Sequence, residues 1–404
     1  MSRRFFIKIL IALGLGNFFP KIAAAEEIHM PKDGYEPLNS IKFLRQIITK
    51  DSRTSRMIMW QSDSAEDFLL EYKAVGEESA HFAEVERRDF IYSCALEGLK
   101  PESLYKFRII SGELATPWHD LRTSGDGEFQ MIIFADSQCE HYEIWRRTAD
   151  IAAENYPDAE IFLVNGDLVD NGEANYQWRA FFDASTKLLD KIFVPVMGNH
   201  ECYGVDWFNA LPTGYLNQFI LPNNGAKNFD GYFYSFDYGA AHFFILNTQF
   251  LELNKFKPKL RETQEYFLKR DAAQVNRPWK IVFMHKDIYD YAQDKFNDLA
   301  EVFMDLFAEL EIDLVFTGHL HTYRNRGKLY FRQKSARGAT YILCGRSGDQ
   351  KYVEPHSDID KVTYKNLETE PESYIVLKIR TEEITLTAQA VDGEILDKFT
   401  LRKG

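Results

Sequence analysis

Residues 131–138 read Met-Ile-Ile-Phe-Ala-Asp-Ser-Gln, residues 161–167 Ile-Phe-Leu-Val-Asn-Gly-Asp, and residues 192–200 Ile-Phe-Val-Pro-Val-Met-Gly-Asn-His. Each is an apolar run that stops on a polar donor. Two later stretches end the same way: 281–285, Ile-Val-Phe-Met-His, and 313–321, Asp-Leu-Val-Phe-Thr-Gly-His-Leu-His. Near-continuous apolar runs of this length predict strands buried on both faces. Between them lie longer stretches of mixed polarity suited to helices, the alternation of an α/β layered domain. In open α/β sheets the carboxyl ends of the strands line the active crevice. The pattern therefore predicts that Asp136, Asp167, Asn199, His285, His319 and His321 converge. Glycines at 166, 198 and 318 suit the tight turns that would push the next side chain inward. A lone strand-end Asp or His is more often a cap or a surface group, so the ordered set carries the inference.

Upstream, from about Ile41 to Thr123, short strand-like runs alternate with turn residues, six or seven in under a hundred residues, as in a β-sandwich. Trp60 has the placing of a core tryptophan on an early strand, and Tyr105 that of a tyrosine tying its strand to the preceding turn. Downstream, 374–379, 384–391 and 399–402 alternate in polarity and are expected to add edge strands to the layered domain. The expected division is a leader over 1–25, a linker over 26–37, an all-β domain over 38–125 and the α/β layered domain over 126–404. A chain of 404 residues is long enough for two cores.

The charge excludes one class of partner. Against 48 Lys and Arg stand 61 Asp and Glu, a formal −13, which disfavours a nucleic-acid polymer across a broad surface. Small anions stay admissible where a metal supplies positive charge. Cys94, Cys139, Cys202 and Cys344 lie far apart, without the spacing of a zinc knuckle or a disulfide scaffold.

The first residues read as an export signal: Ser2-Arg3-Arg4-Phe5-Phe6-Ile7-Lys8, an apolar run from Ile9 to Leu15, then Ala23-Ala24-Ala25. The run is broken by Gly14, Gly16, Asn17 and Pro20, short of the roughly 20 residues of a membrane span. The paired arginines resemble a twin-arginine signal, and the expected destination is the periplasm or the cell exterior, with no stable membrane insertion after cleavage. Cleavage would remove four basic residues and take the formal charge from −13 to −17.

The ordered ligand set is similar to that of the calcineurin-like metallophosphoesterase superfamily. With a preceding fibronectin type III-like domain, it most resembles the purple acid phosphatase branch. The resemblance implies an α+β fold in which an N-terminal sandwich precedes two packed sheets flanked by helices. It also implies that Asp136 and His321 hold one metal, that Asn199, His285 and His319 hold the other, and that Asp167 bridges them. Two ions of iron, manganese or zinc suit such mixed Asp, His and Asn donors. His200 would stabilise the phosphoryl transition state or protonate the leaving oxygen. The expected activity is hydrolysis of small phosphomonoesters. A phosphodiesterase or nucleotidase with the same site is the nearer alternative, and an inactive surface-binding protein the more distant one.

The sequence departs from the purple pattern in one ligand. Where the branch has Gly-Asp-x-x-Tyr, this chain has Gly166-Asp167-Leu168-Val169-Asp170, so the colour-giving tyrosinate is not expected. Gln138 stands where many members of the superfamily place a metal-binding His, and reads either as a ligand through its amide oxygen or as a hydrogen-bonding neighbour of one. Asp170 reads as an acid that orients the turn or a ligand. His141, Tyr203 and His356 fall in loops that could overhang the crevice, and Arg346 and Lys351 in a loop that could hold an anion.

Overall fold

A computed structural model describes residues 36–403 apart from 65 and 366, so the signal-like leader and nearly all of the linker lie outside the described residues. In the first hundred residues, one small sheet is built on strands Leu69–Ala74, His81–Ala83 and Leu104–Ser111. It faces strands Ile41–Ile47, Arg56–Ser62, Glu86–Arg88 and Ile91–Leu96. Alternation along Arg56–Ser62 sends Ile58 and Trp60 inward, where Trp60 stacks on Tyr92 at 5.8 Å and meets Phe68 edge-on. The Tyr105 hydroxyl accepts the Lys100 N–H at 2.8 Å, tying its strand to the preceding turn.

The second face of this sandwich does not stop at a domain boundary. Ile41–Ile47 runs parallel to Ile192–Val196, pairing Gln46 with Ile192 and Ile47 with Phe193. A single ten-stranded sheet therefore crosses from the N-terminal unit into the layered domain. Arg45 on that strand is buried, donates to the Gln218 carbonyl at 2.8 Å and lies 4.5 Å over the Phe182 ring.

In the layered domain, Phe129–Phe134, Ile161–Asn165 and Ile192–Val196 pair in parallel. Ser373–Ile379 pairs antiparallel on the open side of Phe129–Phe134, followed by Glu383–Ala390 and Ile395–Arg402 at the edge. The second sheet contains Ala241–Leu246, Trp279–Met284, Leu314–Thr317 and Ala339–Cys344, all parallel. One continuous core of residues such as Ile133, Leu163, Phe243, Phe283 and Phe316 lies between the two sheets, with Phe283 stacked on Phe316 at 4.7 Å. Helices Glu143–Asn155 and Asn175–Ala184 pack their Trp145 and Trp178 into that core, and Asp298–Glu309 belongs to a second cluster with Phe303 and Phe307. Asn297 caps the latter helix by accepting from Leu299 and Ala300 N–H. The five motif-bearing strands end on the same side, three from one sheet and two from the other.

Candidate metal centre

Five turns carry the donors, and three of them are strained. Asp136, Asp167, His319 and His321 all have left-handed backbones, with φ of 51°, 50°, 77° and 53°. Non-glycine residues pay for that conformation, and it persists where surrounding bonds over-determine it. Here the bonds are visible. The His319 N–H donates to both Asp136 carboxylate oxygens at 3.0 Å, and the His200 N–H to Asp167 Oδ1 at 2.9 Å. Glycine is required because the turns nearly touch: a Cβ on Gly166 would lie 2.3 Å from His285 Nδ1, and one on Gly318 2.9 Å from Asp136 Oδ2.

The donors fall into two groups that share one carboxylate. Asp167, His285 and His319 bring one ligand atom each within 4.8 Å of one another, and so do Asp136, Asp167 and His321. His285 Nε2 is 2.9 Å from Asp167 Oδ2 and 3.1 Å from Asn199 Oδ1, and His321 Nε2 is 3.3 Å from Asp136 Oδ1. Each of these two rings uses its other nitrogen outward: His285 Nδ1 donates to the Asn165 carbonyl at 2.9 Å and His321 Nδ1 to that of Gln350 at 2.8 Å. That fixes the Nε2 lone pairs toward the centre, the tautomer a metal ligand needs.

Electrostatics point the same way. Burial would raise the Asp167 carboxyl, but His285 and His200 hold it well below the usual carboxylate range. Burial would depress His285, yet Asp167 lifts it to about 9, and His319 is driven to about 3 by burial and by repulsion from His285. Two buried carboxylates and three imidazoles brought this close offer anionic and neutral ligand atoms of the kind a cation takes. Gln138 fits as well. It is fully buried, its Nε2 is 3.4 Å from His321 Nε2, and its Oε1 has no hydrogen-bond partner. An amide oxygen buried beside Asp136 and His321 with no hydrogen to accept offers its lone pair to a cation.

Other residues named from sequence divide. Asp170 accepts the His200 Nδ1–H on its carbonyl at 2.7 Å and the Gln350 amide on its carboxylate at 2.6 Å, so it orients His200. Tyr203 lies against His200, ring centroids 5.4 Å apart, with its hydroxyl 3.4 Å from the Asn199 amide nitrogen. His141 lines a cavity of about 960 Å³ with Asp170 and Gln350, beside the centre, whereas His356 is an exposed loop residue. The expectation that Arg346 and Lys351 could hold an anion is corrected. Arg346 is buried, pairs with Glu372 at 2.8 Å and donates to the carbonyls of Gly348 and Glu370. Lys351 donates to the Glu368 carbonyl.

Two supports were not singled out from sequence. The buried Glu201 carboxylate accepts four backbone N–H groups, those of Asp167, Leu168, Val169 and Gly198, at 2.7–3.3 Å, and so clamps two ligand turns together. Its only sequence signal is its place after Asn199-His200. Asp287, beside His285, reaches the strand that ends at His319: it accepts from Thr317 at 2.7 Å, and it accepts from both terminal nitrogens of Arg326 at 2.9 and 2.6 Å. All four cysteines are free and buried.

Residues 129–323 match the calcineurin-like phosphoesterase family. Among curated proteins, the chain is 22% identical to the probable purple acid phosphatase 20 of Arabidopsis thaliana over 309 residues, covering 70% of this chain and 67% of that protein. It is 26% identical to purple acid phosphatase 13 of the same plant over 187 residues, covering 45% of this chain and 33% of the relative. It is 24% identical to the phosphoenolpyruvate phosphatase of Allium cepa, covering 65% and 58% respectively. The match thus spans between about a third and two thirds of these relatives. The structure of purple acid phosphatase PPD1 from yellow lupin (Lupinus luteus) seeds superposes with a TM-score of 0.74 at 17% identity, over 90% of this chain and 74% of that one. That of PhoD superposes with a TM-score of 0.62 at 11% identity, over 91% and 92%.

Proposed function

Because residues 129–323 are a calcineurin-like phosphoesterase domain, set in a chain with the fold of a purple acid phosphatase, we propose that the protein is a dinuclear metallophosphatase acting on small phosphomonoesters. The observation that carries this reading is the pair of donor groups sharing Asp167. Asp136, His321 and Gln138 would hold one cation, Asn199, His285 and His319 the other, and Asp167 would be shared between them. When bound, such a pair neutralises phosphoryl oxygens and lowers the pKa of water, which suits in-line hydrolysis.

The chain's own contribution is orientation and a proton. His200 is held by its Nδ1–H bond to the Asp170 carbonyl, leaving Nε2 on the Asp167 side at 3.9 Å. Burial lowers its basicity, but Asp167 and Asp170 raise it overall, and with Nδ1 tied to the Asp170 carbonyl the ring is oriented to offer a proton from Nε2 to a leaving oxygen. With Asp170 where the purple branch has tyrosine, no tyrosinate charge-transfer colour is expected.

Export belongs to the same proposal, resting on the leader sequence. Among the described residues no helix is long and apolar enough to cross a membrane. The deciding experiment is metal analysis of the purified protein alongside rates on monoester, diester and nucleotide substrates. About two transition-metal ions per chain, with monoesters fastest and activity lost on chelation, is the expected result. Full activity in metal-free protein would overturn the reading, and a diester preference would replace it with the phosphodiesterase alternative. Replacing Arg3-Arg4 with lysines should retain the protein in the cytoplasm if the leader acts as read.

A further inference from the structure

Next to His200 the chain holds out apolar side chains instead of burying them. Val205, Trp207 and Phe208 are 69%, 55% and 74% exposed, and Leu211 is 38% exposed. Single exposed apolar residues need no explanation, but four in seven residues form a patch. The loop is not loose. Gly204 N–H donates to the Phe208 carbonyl at 2.9 Å, Ala210 N–H to Cys202 at 2.8 Å and Asn171 to the Gly204 carbonyl at 2.6 Å, while Tyr203 pairs with Asn209. Within this frame Trp207 adopts a left-handed φ of 63°, rare for a bulky side chain. Its ring meets that of His200 edge-on at 6.2 Å and that of Tyr203 at 6.2 Å. Across the centre, half-exposed Tyr352 lies 4.3 Å over His321.

We propose that Trp207, with Tyr203 and Phe208, forms the binding surface for a flat aromatic leaving group, making aryl phosphomonoesters the favoured substrate class. The occupant follows from position: Tyr203 and Trp207 lie against His200, the ring that the phosphatase reading places beside the leaving oxygen. A preformed aromatic wall recovers stacking and apolar burial from a flat group at little ordering cost, and gives little to a hydroxylated alkyl chain. This inference rests on the phosphatase reading above.

The test compares metal-loaded wild type with Trp207→Ala, Phe208→Ala and Trp207→Phe on naphthyl phosphate and on glycerol phosphate, which lacks the ring. Each variant serves as its own control for leaving-group reactivity through the ratio of its two kcat/KM values. Trp207→Ala should lower kcat/KM for naphthyl phosphate about five- to tenfold, mostly through KM, and leave glycerol phosphate within about twofold. Phe208→Ala should shift the ratio the same way, and Trp207→Phe should restore most of it. Equal losses on both substrates, or none on either, overturn the inference while leaving the phosphatase reading intact. Unchanged kinetics with loss of self-association or of vesicle binding would assign the patch to a protein or lipid contact and likewise overturn it. Wild-type protein inert toward both monoesters sinks the parent reading first.

Discussion

Replacing Gly198 with alanine tests whether the close approach of the ligand turns is what builds the centre. The added Cβ would fall 2.1 Å from Asp167 Oδ1, 2.3 Å from Asp167 N and 2.8 Å from its Cγ. Relieving such overlaps requires a movement of about 1 Å, and one of the atoms in the way is backbone. Asp167 cannot slide freely. Its N–H donates to Glu201 at 3.0 Å, its Oδ1 accepts from His200 at 2.9 Å, and the Gly198 N–H itself donates to Glu201 at 2.7 Å. Overpacking costs about 1–3 kcal/mol, and losing one hydrogen bond to a charged group about 1.5–3 kcal/mol more. At roughly 2–4 °C per kcal/mol for a domain of this order of size, the melting temperature should fall by roughly 5–24 °C. Bound metal should fall too, because Asp167 belongs to both donor groups. Gly127→Ala is the control, since nothing lies within 4 Å of its Cβ. The assay pairs thermal melting with metal content per chain. A Gly198→Ala protein with two metals and an unchanged melting temperature would refute the argument.

Asp167→Asn should keep the fold but lower metal content and phosphatase activity by more than the ten- to hundredfold that supporting residues cost, read by metal analysis and kcat. Arg326→Met leaves the buried Asp287 carboxylate without its bidentate partner and should cost about 3–5 kcal/mol in denaturant unfolding, with Arg326→Met/Asp287→Leu recovering much of it. His242 is half of a remote pH device: burial depresses it, but Asp237 at 2.7 Å and Asp271 at 3.1 Å raise it overall. Its stabilisation is therefore fully present below the unfolded pKa near 6.5 and lost as pH rises through the higher folded value. The two carboxyls are lowered, so theirs is present above about 3.9 and lost on acidification. Melting temperatures of His242→Gln and wild type should accordingly converge on the alkaline side and differ most between about pH 4 and 6.5.

The layered fold was legible because local signals repeat. Strands such as Ile161–Asn165 are apolar on both faces and end on Gly-Asp, Gly-Asn or Gly-His, a periodicity that needs no tertiary information. What escaped depends on partners far away in sequence. Nothing in Leu44-Arg45-Gln46-Ile47 announces that it pairs with residues 192 and 193, so the sheet shared by the two units could not be read. Glu201 follows Asn199-His200 with no local sign of its task, because its four backbone donors come from two turns about thirty residues apart in sequence. Arg346 erred in the opposite direction: a basic residue in a crevice loop suggests an anion, but its partner Glu372 lies 26 residues on and could not be paired with it from sequence.

The distribution of strain leads to a statement about the metals. Four donors sit in left-handed turns, at a cost on the order of 1–2 kcal/mol each, while the strands delivering them are regular and, apart from half-buried Gln130, buried. The compensating bonds are local to the turns: Asp136 to His319, Asp167 to His200, and Glu201 to four N–H groups. Without cations those bonds still stand, but the clustered carboxylates and imidazoles have only one another for charge balance. Cations binding the native state alone add RT ln(1 + [L]/Kd), about 4 kcal/mol at a thousandfold excess over Kd. Chelation should therefore leave the far-ultraviolet circular dichroism unchanged, since the sheets do not depend on the centre. It should lower the melting temperature, and hydrogen exchange should accelerate at Leu168, Val169 and His319 before Leu163 or Phe316. Uniform acceleration across the sheets would mean instead that the metals hold the fold, and that the turns are not independently secured.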